Sequence, residues 1–318
     1  MPAIRLAARM FLVCLTFLPG AYAHSQNLSS KPIRIMTSEP GSTSDFLARL
    51  LAQGMPAILD HEVIVENRGG LMAADAVFRA APDGATIALN GSSLWTGPLV
   101  RNDVPYDPVK DFAPITLAAD APNVLVVSGT LPAHSVKELI TLAKAKPGVL
   151  NYGSGSTGAP SHFGMELFKS MAGVDIVRIA YKGTGPALNA LLAGQVQMMI
   201  LAPTGVLGHI KSGKLIGLGV TSSKPSALAP GLPTIASQGL PGFEVGGPFG
   251  LFAPAKTPAG IIKRLNQAMV QVLGRADERE RMLKAGVEAV GSSPEEFAAY
   301  IAADLAKWGQ LIKTAGIK

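Results

Sequence analysis

At 318 residues, 48% of them hydrophobic, the chain is too long for one typical domain and too apolar for a disordered one; its 35 glycines and 24 prolines supply the turns that α/β proteins use. Its 28 basic and 22 acidic residues give a net charge of +6 with no Lys/Arg block, which argues against a nucleic-acid partner, while a mild positive field favours anionic solutes. The one cysteine, Cys14, excludes a disulfide framework.

The apolar run Met10 to Leu18 is too short to span a bilayer. It follows Arg5 and Arg9 and precedes Ala21-Tyr22-Ala23, the order of a secretory signal peptide. Cleavage is expected after Ala23, leaving an exported chain that starts at His24, has no cysteine, and carries 26 basic against 22 acidic residues. A lipid anchor on Cys14 is the competing reading, but Val13 stands where such an anchor wants a small residue.

Ile33 to Thr37 reads as a first strand, and Pro40 to Arg49 (PGSTSDFLAR) as a Gly/Ser/Thr turn leading into a helix that opens around Ser44. Pro40, Gly41, Ser42, Thr43 and Ser44 are candidate ligand residues, because a helix N-terminus with uncovered amides attracts anions. Asp45 is expected to cap that helix, direct contact with a ligand being the weaker reading, with Arg49 in salt-bridge register. Glu62 to Glu66 alternates like a second strand, Ala73 to Ala81 like a small-residue helix. Thr86 to Leu89 is a third strand, leading into Asn90-Gly91-Ser92-Ser93. Parallel α/β sheets bind ligands outside the carboxyl ends of their strands, which adds Ser92, Ser93 and Trp95 to the candidates.

Ile115 to Leu117 and Leu125 to Val127 are short strands, and Ser135 opens a helix that stops at Pro147-Gly148. The central stretch is Asn151 to Lys169: a strand end, a loop of small and hydroxylated residues, then a helix after Pro160. Gly153, Ser154, Ser156 and Thr157 form a second anion-binding turn, and His162 is either a donor to a carboxylate or a structural residue of the helix start. Val174 to Ile179 leads to a third such turn, Tyr181-Lys182-Gly183, and a helix from Pro186. Val196 to Leu201, Leu215 to Val220 and Phe249 to Pro254 are apolar strands. Helices follow, one starting at Ser293-Pro294-Glu295-Glu296 with the signature of a capping box. Phe297, Ile301, Leu305, Trp308 and Ile312 line its apolar stripe, with Trp308 expected in the core. Alternating strands and helices predict parallel sheets with right-handed crossovers.

Catalytic and metal motifs are missing from this pattern. The five histidines lack metal-ligand spacing, no GxSxG occurs, and the GxGxxG at Gly153 to Gly158 lacks the acidic residue that a dinucleotide site needs after the next strand. Hydroxyls and backbone amides remain, which suit binding, so neither a cofactor nor a metal is expected and an exported hydrolase or lyase is the weaker reading.

The segments PGSTSDFLARLLA, VIVENRGG, AAPDG, YDPVKDFAPIT, NYGSGSTGAPSHFGMELFK, YKGTGPALNALLAGQV, GKLIGLGVTSSKPS and LPTIASQGLPGFEV follow one another along most of the mature chain. In that order they resemble the Bug-type periplasmic solute receptors of tripartite tricarboxylate transporters. The resemblance implies a type II periplasmic-binding-protein fold, two α/β lobes with a ligand cleft between them. Residues 24–122 and 246–318 would form lobe 1 and residues 123–245 lobe 2, with the C-terminal helices on lobe 1. It also implies a small carboxylate held by Gly41 to Ser44 and Gly153 to Thr157, with Ser92-Ser93 and Tyr181-Lys182-Gly183 beside it. Where the family commonly has acids, this chain has Gln197 and Leu201. Loss of an acid at Leu201 removes a partner for a ligand ammonium, so a carboxylate without an amine is expected. The partner would be a set of membrane transporter subunits or, alternatively, a sensor kinase ectodomain; the default oligomeric state is a monomer.

Overall fold

The computed structural model describes residues 28, 30–68, 72–155, 160–181 and 183–315. The expected leader with Cys14, and the candidates Ser156, Thr157 and Lys182, lie outside the described residues.

The chain starts with β1 (Ile33–Thr37), α1 (Thr43–Gly54), the short α2 (Pro56–Leu59), β2 (Val63–Asn67), α3 (Met72–Phe78), β3 (Thr86–Gly91) and α4 (Ser93–Val100). β4 (Phe112–Asp120) leads directly into β5 (Val124–Ser128). Then follow α5 (Val136–Ala145), β6 (Asn151–Ser154), α6 (Pro160–Ala172), β7 (Val177–Ala180), α7 (Thr184–Leu192), β8 (Met198–Leu201), α8 (Pro203–Lys211) and β9 (Leu215–Val220). β10 (Phe249–Pro254), α9 (Ala259–Leu273), α10 (Ala276–Lys284), β11 (Glu288–Ala289) and α11 (Pro294–Ala315) complete it.

The strands form a six-stranded sheet in the order β11-β4-β10-β3-β1-β2 and a five-stranded sheet in the order β7-β6-β8-β5-β9. Both are mixed, which corrects the expectation of purely parallel sheets. β10 runs antiparallel to β3 and β4, and β5 antiparallel to β8 and β9. The reason is topological. β4 carries the chain out of the first sheet at its carboxyl edge, and β5 must therefore enter the second sheet from that edge, against the strands that arrive there. β10 makes the same return into the first sheet.

Each sheet is packed on both faces. One face of the first sheet holds Leu47, Leu50 and Leu51 of α1 with Leu265, Met269 and Val272 of α9, and the other holds Trp95, Phe252 and Phe297. In the second sheet Met198 and Ile200 face Phe163 and Phe168, whereas Met199 and Leu201 face Ala187, Leu191 and Val206, the two-residue alternation of a strand buried on both sides.

The capping box at α11 is present in both halves: Glu296 N donates to Ser293 Oγ at 3.1 Å and Ser293 N donates to Glu296 Oε2 at 2.8 Å. This helix packs mainly on the first sheet and reaches the second. Phe297 and Ile301 join the core of the first sheet, but Trp308 and Leu311 join that of the second. The Trp308 ring stacks on Phe163 of α6 at 5.2 Å and 25°. A single apolar stripe thus serves two cores.

Gly250 is the point where β10 admits α11: a Cβ there would run into the Phe297 ring. Gly250→Ala is expected to lower stability by about 1–3 kcal/mol through overpacking, read as a lower urea midpoint with an unchanged slope.

Candidate functional site

The loop after β1 is held from within. Gly41 takes φ +81, Ser42 caps α1 by accepting from Asp45 N at 3.2 Å, and the Asp45 carboxylate accepts from Gly41 N at 2.9 Å, Arg49 Nε at 3.1 Å and Asn67 Nδ2 at 2.8 Å. Asn67 Nδ2 also reaches Ser38 O, so the end of β2 ties down the loop after β1. The Arg49 guanidinium holds the Asp45 carboxyl down at about 2, and the Asn67 and Gly41 donors add to it against the effect of burial.

Two expectations are corrected here. Ser42, not Asp45, caps the helix, and Asp45 is a latch on the turn. The Gly41 amide is taken by that latch, whereas Ser42 Oγ accepts in the cap and keeps its O–H as a donor; beside it the Thr43 and Ser44 amides have no intrahelical acceptor and stay open. Pro40 and Gly41 are exposed and Ser44 is buried.

At the end of β3, Ser92 O accepts from the amides of Trp95 and Thr96 at 3.0 and 2.8 Å, and Ser93 is exposed. Ser92 borders a cavity of about 30 Å³ between α4 and α6, shared with Phe163, Tyr300, Asp304 and Trp308. Trp95 does not face it. The ring is fully buried, its Nε1 donates to Asp304 Oδ2 at 2.9 Å, and its neighbours are Phe252 and Phe297.

In the second sheet, Gly153 lies where a Cβ would stand 3.2 Å from Val196, and Ser154 is completely buried. Arg178 on β7, which no sequence motif marks, donates from Nε to Ser154 Oγ at 2.8 Å and from Nη2 to Gly155 O at 3.2 Å. Gly155 N donates to Ser161 Oγ at 3.2 Å. The Ser154 hydroxyl is therefore engaged by an arginine, and a cation underlies a turn that the sequence presents as uncharged. His162 is 4% exposed and stacked on Phe163 at 5.4 Å; burial, then the nearby Arg178 charge, push it down to about 4, so the imidazole is neutral at pH 7. Tyr181 is half-buried and bound through its amide to Ser154 O at 2.9 Å, and Gly183 precedes α7 in extended conformation. Leu201 ends β8 at the carboxyl edge, buried beside Val124 and Val220. Gln197 lies at the opposite end of that strand, where its Oε1 accepts from Asn151 N at 2.9 Å, so its identity has no direct bearing on a ligand at the carboxyl edge.

The two crossings between the sheets run side by side. Ala121 N donates to Gly247 O at 3.1 Å, Asn123 N to Thr221 Oγ1 at 2.9 Å, and Thr221 Oγ1 to Val245 O at 2.5 Å. Asp120 closes β4 at this point, with Oδ1 enclosed and without a partner; a Cβ on Gly246 would stand 2.5 Å from it. Burial, reinforced by the Glu244 and Glu288 charges against the Gly247 and Ala121 backbone, pushes the Asp120 carboxyl up to about 6.

Two α/β units joined by paired crossings, with Gly/Ser/Thr turns at the carboxyl edges of both sheets, define a solute-binding receptor of the periplasmic-binding-protein class, not an enzyme. The chain belongs to the TctC family, the tripartite tricarboxylate transporter family receptors, whose pattern residues 47–317 match. Protein BugT of Bordetella pertussis (strain Tohama I) is 33% identical over 320 residues, covering 99% of this chain and 98% of its own. The structure of R. palustris Rpa4515 with adipate shares 34% identity at a TM-score of 0.72 and covers 91% of this chain and 98% of its own. MatC (Rpa3494) from Rhodopseudomonas palustris with bound malate shares 28% at a TM-score of 0.68, over 89% of this chain and 99% of its own.

The two aspartates have opposite pH signatures. The folded Asp45 carboxyl lies below its unfolded value of 3.8, so its stabilisation is present above that value and is lost as pH falls toward 2. Asp120 lies above 3.8, so its charged form costs stability above about pH 6 and the cost vanishes below 3.8. Asp45→Asn is expected to lower the urea midpoint at pH 7.5, equivalent to about 1–3 kcal/mol. Asp120→Asn is expected to raise it by up to about 3 kcal/mol. Both differences from the parent should shrink as the titration is carried down to pH 3.

Proposed function

We propose that this chain captures a small organic carboxylate between two lobes, residues 24–122 with 246–318 and residues 123–245, and delivers it to a tripartite tricarboxylate-type membrane transporter. The observation that carries the reading is the pairing of the two strand-to-helix turns, at Thr43–Ser44 and at Ser154–Gly155, on the carboxyl edges of sheets joined by adjacent crossings. Relatives that hold adipate and malate supply the ligand chemistry. Ligand contacts made to both lobes would favour a closed form over an open one, and that difference is what a membrane partner would read. Residues 1–23 would serve as the export leader, giving a periplasmic protein that begins at His24.

The anion would be met by neutral donors from the first lobe and by a turn backed by Arg178 from the second. With Leu201 where an acid would offer a partner to an ammonium group, an acid without an amine is favoured.

Native mass spectrometry of protein purified without refolding, followed by analysis of the solute released on denaturation, tests the reading directly. Calorimetry should show adipate or malate binding, and succinate binding more tightly than aspartate. Tight binding of aspartate with none of succinate would overturn the ligand class, and the absence of binding by every acid tried would overturn the receptor reading.

A further inference from the structure

Among the described residues, four buried side-chain polar atoms lack a hydrogen-bond partner: Asn90 Nδ2, Tyr106 Oη, Asp120 Oδ1 and Thr257 Oγ1. Buried donors are nearly always satisfied, so an orphan calls for an explanation. Tyr106 packs against Phe112, which pairs with Pro254 at the end of the sheet away from the crossings, and Thr257 follows Pro254. Asn90 and Asp120 are at the other end, the carboxyl edge. Asp120 belongs to the crossing itself, which leaves Asn90.

Asn90 is 3% exposed and lies between β1 and β10 at the centre of the first sheet. It pairs with Gly250 on one side. On the other, the parallel register Met36↔Ala88 continues to place it beside Ser38, where the loop after β1 begins. Strand alternation puts its side chain on the face of Ala88, which is packed among Met36, Leu94, Trp95 and Phe252. No acceptor stands within hydrogen-bond distance of Nδ2 there. A leucine or valine would fill that position without leaving a polar group unmatched, so the amide is a cost to the fold that its own core does not offset.

We propose that the Asn90 side-chain amide is a ligand-binding group, donating from Nδ2 to a carboxylate or hydroxyl oxygen of the bound acid at the carboxyl edge of the first sheet. This rests on the receptor reading above and deepens it by adding an uncharged donor to the first lobe's contribution. A neutral amide there selects an oxygen acceptor and adds no charge of its own, beside a turn whose buried carboxylate, Asp45, is already matched by Arg49 and Asn67.

Asn90→Leu keeps the shape and removes the donor, and Asn90→Ser keeps a shorter hydroxyl; both are compared with the parent by calorimetry against adipate and malate and by thermal unfolding without ligand. Asn90→Leu is expected to weaken binding of the acid that the parent takes by about 10- to 100-fold, as for one hydrogen bond to a charged group, while the ligand-free melting temperature holds or rises. Asn90→Ser should fold in the same way and lose affinity to a smaller extent. Parent-like affinity in both variants, or a lowered ligand-free melting temperature with affinity intact, would mean that the amide serves the fold and would overturn the proposal while leaving the receptor reading standing. A parent protein that binds none of the acids tried, succinate included, would overturn both.

Discussion

The architecture depends on two short stretches of backbone that cross between the sheets side by side. Asp120 to Val124 and Val245 to Phe249 are bonded to each other and, through Thr221, to the end of β9. Because both crossings leave from carboxyl edges, those edges are brought toward one another, and each sheet must accept a strand, β10 in the first and β5 in the second, running against both of its neighbours. The mixed sheets, the position of the turns and the gap between them follow from that single connection. Gly246 and Gly247 leave room for Asp120 and Ala121, whose atoms would stand 2.5 to 3.1 Å from any added Cβ.

A second link modifies the first. α11 starts on the first sheet and ends on the second, and between these points Asp304 accepts from Trp95 Nε1 and Lys307 Nζ while Lys307 reaches Glu244 O at 3.2 Å. The same short run of helix therefore touches the core of one unit, the second crossing and α6 of the other unit. Any motion of one unit against the other has to be accommodated at the Trp308–Phe163 stack as well as at the crossings.

The charge distribution at the carboxyl edges is consistent with recognition without reaction. The first turn is tightened by a carboxylate that is already neutralised, the second by an arginine already bound to a serine hydroxyl and a carbonyl, and His162 is held neutral by burial. Groups that are matched in this way hold turns in shape. They make main-chain amides and a few neutral side chains the surfaces that remain for a solute.

Local pattern made much of this legible. Alternation and apolar runs placed β1, β2, β3, β9 and β10 within a few residues, and Ser293 to Glu296 announced α11 because a capping box is a contact between neighbours. α4 and α8 leave no clear pattern because SLWTGPLV and PTGVLGHIK carry Gly and Pro in short segments, and α10 leaves none because a helix burying little beyond Glu278 and Met282 has almost no apolar stripe. The turns at Gly41 and Ser154 were legible as turns, but the fate of their donors was not. It rests on Asn67, 22 residues from Asp45, and on Arg178, 24 residues from Ser154. By itself the sequence determined most of the strands and the patterned helices, the location of the small-residue turns and the family, all of which are written in contiguous residues. Tertiary structure alone decided strand direction, the double allegiance of α11, which hydroxyls and amides are already taken, and the isolation of Asn90, because each depends on which distant strands become neighbours once the chain has crossed twice.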